Sequence, residues 1–287
     1  MSKYAIVTDS GSDLCPDMIK RLNVISLPLS VTVDGEDEHN DYAVSKVEFY
    51  LKMRSGKTAK TAAVNYQTFL NKFRSLAEND TDVLYLGLSS GISSTYSSAR
   101  AAANFLKREI PEREFLTVDT RCASAGLGLL VYLTAKERDC GANIYDAENF
   151  AKATAPKICH RFTVDDLSYL YRGGRISAAT KFFGNMLGIK PLLYMDSGGF
   201  LKSSAKVRGR RAAIEALADS YGSLNVKGIG REIFISQADC ALDAHLLDDM
   251  LNKKYGVRAK EIVDIGAVIG AHAGPGTLAI FFIGDTR

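Results

Sequence analysis

The sequence predicts an α/β protein. An N-terminal parallel α/β (Rossmann-like) domain is expected over residues 1–155. A C-terminal α+β two-layer domain with a mostly antiparallel sheet is expected over residues 156–287. Three observations lead there. Apolar, β-branched runs alternate with helix-period segments through the first half, the signature of βαβ units. From about residue 158 strands joined by tight turns replace that alternation. Finally, 287 residues, 46% of them hydrophobic and 24% charged, give enough chain of ordinary globular composition for two modest domains.

In chain order, residues 4–8 read as a strand that runs into Asp9-Ser-Gly-Ser-Asp13. Small polar residues just beyond a parallel strand are common at ligand sites of α/β proteins, which makes Ser10 a candidate contact. Ser12 or Asp13 is expected to cap the helix that follows Pro16. A Val/Ile-rich strand covers 24–33, and an acidic turn follows at 34–38. Ser45 is placed to cap a helix over about 46–55, ended by Gly56. A small-residue stretch containing Thr61 leads to a helix with Phe69, Phe73 and Leu76 on one face. Strand 83–88 opens into the Ser/Gly-rich loop 89–98, and then into a helix from Ala99 to Lys107. The unpaired amides and positive dipole end of such a helix can receive an anion, and Ser93, Ser94 and Thr95 can add hydroxyl donors. Strand 114–118 ends at Asp119-Thr-Arg, and a long apolar helix runs from about Ala123 to Lys136. Gly126 and Gly128 inside it imply close packing against the sheet or an acyl chain.

In the second half, a strand over 158–164 precedes Arg172-Gly-Gly-Arg175, a tight turn presenting two guanidiniums. Residues 176–187 read as helical, and strands 190–195 and 200–207 form a hairpin around 196–199. One amphipathic helix aligns Ala213, Leu217 and Tyr221, a second aligns Leu242, Leu246 and Met250, and strand 232–236 lies between them. Two buried strands, 262–269 and 278–283, then flank Gly270-Ala-His-Ala-Gly-Pro-Gly276. Glycines and a proline around His272 suggest an imidazole presented from a loop.

Several functions are disfavoured. A net charge of +3 is too small to argue for nucleic acid or an anionic membrane. There is neither a G-x-G-x-x-G fingerprint after the first strand nor a P-loop. The five cysteines have no zinc-site spacing and read as free thiols. No apolar run reaches the roughly 18 residues of a spanning helix, and the amino terminus lacks a signal peptide's cleavage pattern. A cytoplasmic protein without a metal or cofactor is expected. One enzymatic alternative stands. Gly87-Leu-Ser-Ser-Gly91 fits the nucleophile elbow of a serine hydrolase (esterase or lipase-like), with His272 later in the chain and Asp119 or Asp264 to orient it.

Seven segments in order resemble the DegV family, the fatty-acid-binding proteins that include the FakB subunit of bacterial fatty acid kinase. They are Thr8-Asp-Ser-Gly-Ser-Asp-Leu14, Ser89-Ser-Gly-Ile-Ser-Ser-Thr-Tyr96, the stretch from Asp119 to Gly128, Leu167 to Ser177, Lys190-Pro-Leu-Leu193, Lys206-Val-Arg-Gly209 and Gly270 to Gly276. The resemblance implies a long-chain fatty acid buried between the two domains, with its carboxylate at Thr61, Ser93 and His272. It also implies a separate kinase, FakA, which converts the bound carboxylate to an acyl phosphate, and docking of that partner through Arg175, with Arg172 beside it. The chain departs from the usual pattern at Ala62-Ala-Val64, where the family has Ser-Gln-Pro, at Ser94, where it has Gly, and at Thr120, where it has Ser.

Overall fold

The computed structural model describes residues 3–177, 188–225, 232–285 and 287. Strands β1 (Lys3–Asp9), β2 (Ile25–Leu27), β6 (Thr81–Leu88) and β7 (Phe115–Cys122) form a wholly parallel sheet in the order β2-β1-β6-β7. Every residue of β6 is buried, as befits a central strand covered on both faces. Helices Tyr66–Ala77 and Thr95–Glu109 pack together on this sheet. On the first of them, Phe69 and Phe73 are fully buried, as the periodicity requires.

The second large sheet has the order β10-β9-β8-β13-β11-β12, built from β8 (Ile158–Thr163), β9 (Ile189–Met195), β10 (Leu201–Arg208), β11 (Phe234–Gln237), β12 (Glu261–Asp264) and β13 (Leu278–Ile283). All its pairings are antiparallel except β11 with β12. A third sheet, β4-β3-β5, joins β3 (Ser30–Val33), β4 (His39–Asn40) and β5 (Ala59–Ala62). It takes in residues that read in the sequence as half of a longer strand and as a loop.

Helix Ser124–Asp139 fixes how these layers meet. Its residues 124–135 are all buried, and it packs against strands of both large sheets. At Gly126 a β-carbon would lie 2.3 Å from His160 Nε2 on β8 and 2.7 Å from a ring carbon of Phe281 on β13. The glycine is therefore there for close packing on the sheet. Helices Arg210–Leu224 and Ala241–Tyr255 cover the opposite face of the second sheet through a separate apolar cluster that includes Leu217, Leu247 and Phe282.

Several elements differ from the sequence reading. Pro28 divides the expected strand 24–33, so that β2 and β3 join different sheets. Cys15, not Ser12 or Asp13, stands at the cap of helix Pro16–Arg21. Helix Ile144–Thr154 was unread. The stripe of Leu242, Leu246 and Met250 is not the buried face of its helix: Leu242 is 86% exposed, and Ala244, Leu247 and Leu251 point inward instead. The expected strand 262–269 ends at Asp264, and helix Ala267–Ala273 follows. From residue 178 onward, the helix expected over 176–187 lies outside the described residues.

The Gly126 contact gives a direct test. Gly126→Ala should destabilise the protein by about 1–3 kcal/mol in denaturant titration, because the methyl must push the His160 ring off its hydrogen bonds to the Ala123 amide and Ile158 O. A change within about 0.5 kcal/mol would mean that the helix does not sit this close to β8.

Candidate functional site

Two adjoining chambers lie where the sheets meet. The inner one, about 210 Å³, is walled mainly by apolar side chains, among them Leu29, Ile92, Phe162, Met195, Val268 and Phe281. The outer one, about 470 Å³, is walled by Lys60, Tyr169, Arg172 and the backbone around Gly173. Thr61, Arg175 and His272 line both, so these three residues form the partition.

Each is brought there by a different element. Thr61 lies on β5 opposite Val31 of β3. His272 sits in the last turn of helix Ala267–Ala273 and not on a loop. Gly274, at φ 80°, ends that helix, and its missing β-carbon admits the Tyr169 ring, which a side chain would approach to 2.4 Å. Gly173 performs the same service for the imidazole: a β-carbon there would lie 2.1 Å from His272 Nδ1. Thr61 Oγ1 and His272 Nε2 are hydrogen bonded at 2.8 Å. Arg175 reaches back from the Gly-Gly turn, donating through Nε to Ile92 O at 3.0 Å and through a terminal nitrogen to Gly173 O.

Next to Ile92, Ser93 and Ser94 line the inner chamber at the amino end of helix Thr95–Glu109, so the positive end of its dipole meets the cavity wall. Ser93 Oγ accepts from the Thr95 amide at 3.2 Å and shares a hydrogen bond with Thr95 Oγ1 at 2.9 Å. Thr95 itself is buried behind Ser93.

The imidazole at the partition is neutral. Burial, reinforced by the positive charge of Arg175, pushes its pKa down to about 4. His160, deeper in the inner wall, is also held neutral, well below the usual imidazole range, chiefly by burial. Its Nε2 accepts from the Ala123 amide at 3.2 Å, leaving Nδ1 to donate to Ile158 O at 2.9 Å. Both ring nitrogens are thereby satisfied, and the ring serves as an apolar surface. Burial pushes the guanidinium of Arg175 downward, and among the described residues no carboxylate pairs with it.

Of the residues singled out in the sequence, Thr61, Ser93, Ser94, Arg175 and His272 come together at one cavity. Arg172 lines only the outer chamber, with its guanidinium 4.7 Å from the centre of the Tyr169 ring. Ser10 lies elsewhere: its hydroxyl is buried and accepts from the Leu29 amide at 3.0 Å. The hydrolase elbow is not assembled. Ser89 is fully buried, donates to Gly199 O at 2.9 Å and accepts from the Gly91 amide, while His272 bonds to Thr61. Asp119 is occupied by the amide and hydroxyl of Ser90. Lys60 and Tyr169 went unread. Lys60 is marked only by its place beside Thr61, and Tyr169 only by its place in the segment from Leu167 to Ser177. Among the described residues there is no cluster of His, Cys, Asp and Glu able to hold a metal ion, and no helix long and apolar enough to cross a membrane.

A parallel sheet and a mostly antiparallel sheet enclosing an apolar cavity with a polar mouth define a two-sheet α/β protein with an internal cavity. Its family follows from comparison with known proteins. Residues 3–285 match the family model described as an uncharacterised protein of the DegV family, and the chain belongs to that family. A DegV domain-containing protein of Clostridium perfringens is 38% identical over 289 residues, covering 100% of this chain and 99% of its own length. The DegV domain-containing protein YteA of Lactococcus lactis is 35% identical over 283 residues, covering 98% and 97%. Among solved structures, a fatty-acid-binding DegV family protein of Thermus thermophilus superposes with a TM-score of 0.87 at 28% identity, over 98% of this chain and 99% of its own. A Thermotoga maritima protein with a fatty acid binding function gives 0.84 at 27% identity, over 99% and 100%.

The state of the partition imidazole is measurable. In an NMR titration His272 should stay neutral far below the ordinary imidazole range, with a midpoint near 4. Because its folded pKa is depressed, the ring costs stability as pH falls from about 6.5 toward that midpoint. A midpoint at or above 6.5 would contradict the burial seen here.

Proposed function

We propose that this protein binds a long-chain fatty acid between its halves, residues 1–155 and 156–287, and presents the carboxylate to a separate ATP-dependent, FakA-like fatty acid kinase. The observation that carries the reading is the partition: Thr61, Arg175 and His272 belong at once to an apolar chamber and to a cation-lined outer one. The hydrocarbon lies inside, and the carboxylate takes hydrogen bonds from Thr61, Ser93 and His272, with Ser94 and Thr95 at the same helix end. Fatty acid binding by the similar Thermus and Thermotoga proteins supports the assignment.

Energetics fit a carrier. Burial of about a dozen methylenes, at ~0.8 kcal/mol each, supplies on the order of 10 kcal/mol before association costs. The polar mouth adds orientation more than affinity. The protein contributes no nucleophile or acid–base pair of its own. In acyl phosphate formation the carboxylate oxygen attacks the terminal phosphorus of ATP and ADP leaves, with the kinase supplying the nucleotide. Lys60, Arg172 and Arg175 line the side from which a phosphoryl donor would approach, and their charges suit an incoming polyphosphate. Docking of the kinase is assigned to Arg175, with Arg172 beside it. Such a carrier would work in the cytoplasm, where five free cysteines are also at home.

Mass spectrometry of lipid extracted from freshly purified, denatured protein should show a stoichiometric fatty acid; a clean blank would sink the reading. His272→Ala and Thr61→Ala should each lower retention by about ten- to a hundredfold, the worth of one hydrogen bond to a charged group. Arg175→Ala should keep its lipid and lose acyl phosphate formation in the presence of kinase and ATP. Normal turnover by that variant would move the docking role elsewhere.

A further inference from the structure

The loop after β1, Asp9-Ser-Gly-Ser-Asp13, lies where α/β sheets commonly bind ligand, yet it touches neither chamber. Its carboxylates are occupied by backbone and hydroxyl donors. Asp9 accepts from the amides of Gly11 and Leu88 and from the Tyr85 hydroxyl, at 3.0, 3.0 and 2.6 Å. Asp13 accepts through one oxygen from the Gly266 amide at 2.8 Å and through the other from the Ser124 hydroxyl. Beside it Asp41, which follows β4, accepts from the Val268 amide at 3.1 Å, with the Ser10 hydroxyl and the Ala267 amide close by. Two amides at the start of helix Ala267–Ala273, those of Gly266 and Val268, thus end on two carboxylates.

We propose that Asp13 and Asp41 are positioning residues for His272, their buried carboxylates fixing the amino end of the short helix whose last turn carries the imidazole.

The helix needs such anchoring. Seven residues are too few for a helix to persist on its own propensity. Its cap, Gly266, has no side chain to take the free amides. Anions at this end of the dipole are favourable, and their bonds to amides are charge-assisted. The far end is tied separately, by the Thr277 hydroxyl to Ala273 O and Gly274 O at 2.9 and 2.8 Å. Between the two ends, Gly270 rests on the Tyr50 hydroxyl, which donates to Ile265 O at 2.9 Å. Val268 lies four residues before His272 and therefore on the same face, so the amide held by Asp41 belongs to the residue one turn below the imidazole. The ring has no slack on its other side, where it packs on Gly173.

The surroundings favour a structural use of these carboxylates over a catalytic one. Both lie behind the cavity wall, and the cation facing them is Lys46, which itself donates to Asp264 O at 3.1 Å. Tyr42 and Tyr50 face the same pair, and Asp9 and Asp41 are like-charged neighbours. Burial raises Asp13 to about 7 and raises Asp41 in the same direction, while their donors oppose the shift.

The proposal is tested on the full-length protein by a double-mutant cycle, with a ring measurement that needs no ligand. The affinity readout rests on the fatty acid reading; the ring readout does not. In lipid-stripped protein, Asp41→Ala should move the His272 ring resonances and raise its titration midpoint by about one pH unit as the imidazole gains solvent. Asp41→Asn, which keeps an acceptor oxygen, should fall between Ala and wild type. With a fluorescent fatty acid as probe, Asp41→Ala should weaken binding about fivefold in the wild-type background and by less than about twofold beside His272→Ala, because coupled residues are not additive. An equal loss in both backgrounds would overturn the proposal, showing a general effect on the cavity. Unmoved ring signals would overturn it as well. Asp13→Ala should reproduce the pattern; if that variant fails to fold, Asp41, which leaves the Asp13 bonds intact, decides. If wild-type protein binds no fatty acid, the carrier reading fails and the ring measurement still settles this one.

Discussion

The approach of helix Ser124–Asp139 to strand β8 at Gly126 sets the distance between the two large sheets, and much else follows from that distance. His160 can face the helix only because no β-carbon intervenes, and the Ala123 amide that opens the helix then becomes its hydrogen-bond partner. A ring satisfied at both nitrogens is a tolerable wall for a hydrocarbon, whereas an unpaired one would cost about 1–3 kcal/mol. Ala123 and Ser124 extend the same wall, and Ser124 passes the contact on to Asp13. Packing of one helix thus shapes the cavity and, through Asp13, reaches the start of the helix that carries His272.

Much of the fold was legible because apolar, β-branched runs alternate with helical periodicity through the first half. The runs gave β1, β6 and β7, and the 3.6-residue period gave the helix with Phe69 and Phe73. The errors have physical causes. Residues 262–269 form an apolar run that suits a buried strand and a buried helix equally, and periodicity cannot separate the two. What decides is the pair of carboxylates at Asp13 and Asp41, more than 200 residues away in sequence. Leu242, Leu246 and Met250 form a fair stripe, but the inward face of that helix is Ala244, Leu247, Asp248 and Leu251. Asp248 can turn inward because Arg258 and the Ala259 amide meet it at 2.6 and 2.7 Å, partners no local pattern reveals. Pro28, by contrast, was in plain view and marks the point where the chain leaves one sheet for another.

The site was legible in its residues and not in its partition. Ser93 could be read from a strand–loop–helix junction, and His272 from its glycines, although those glycines serve close packing by Tyr50 and Tyr169 more than the presentation of a loop. Thr61 carried no signal beyond the family resemblance. Its strand is short, alanine-flanked and, among the described residues, paired only with β3, so its place beside His272 is a product of tertiary structure alone.

On the proposed reading, the separation of charge across the partition has a chemical rationale. A carboxylate that must attack phosphorus should keep its electron density, and a bidentate arginine pair would withdraw it. Hydroxyls and a neutral imidazole hold the group in place with a smaller penalty. Charge is needed instead where it accumulates in phosphoryl transfer, on the oxygens of the transferring group. Lys60 and Arg172 line only that outer side. Arg175 touches both chambers, yet its guanidinium is fixed by the carbonyls of Ile92 and Gly173, which leave its charge unneutralised. That charge also helps to keep His272 unprotonated, so the cation at the mouth preserves the neutrality of the donor beside it.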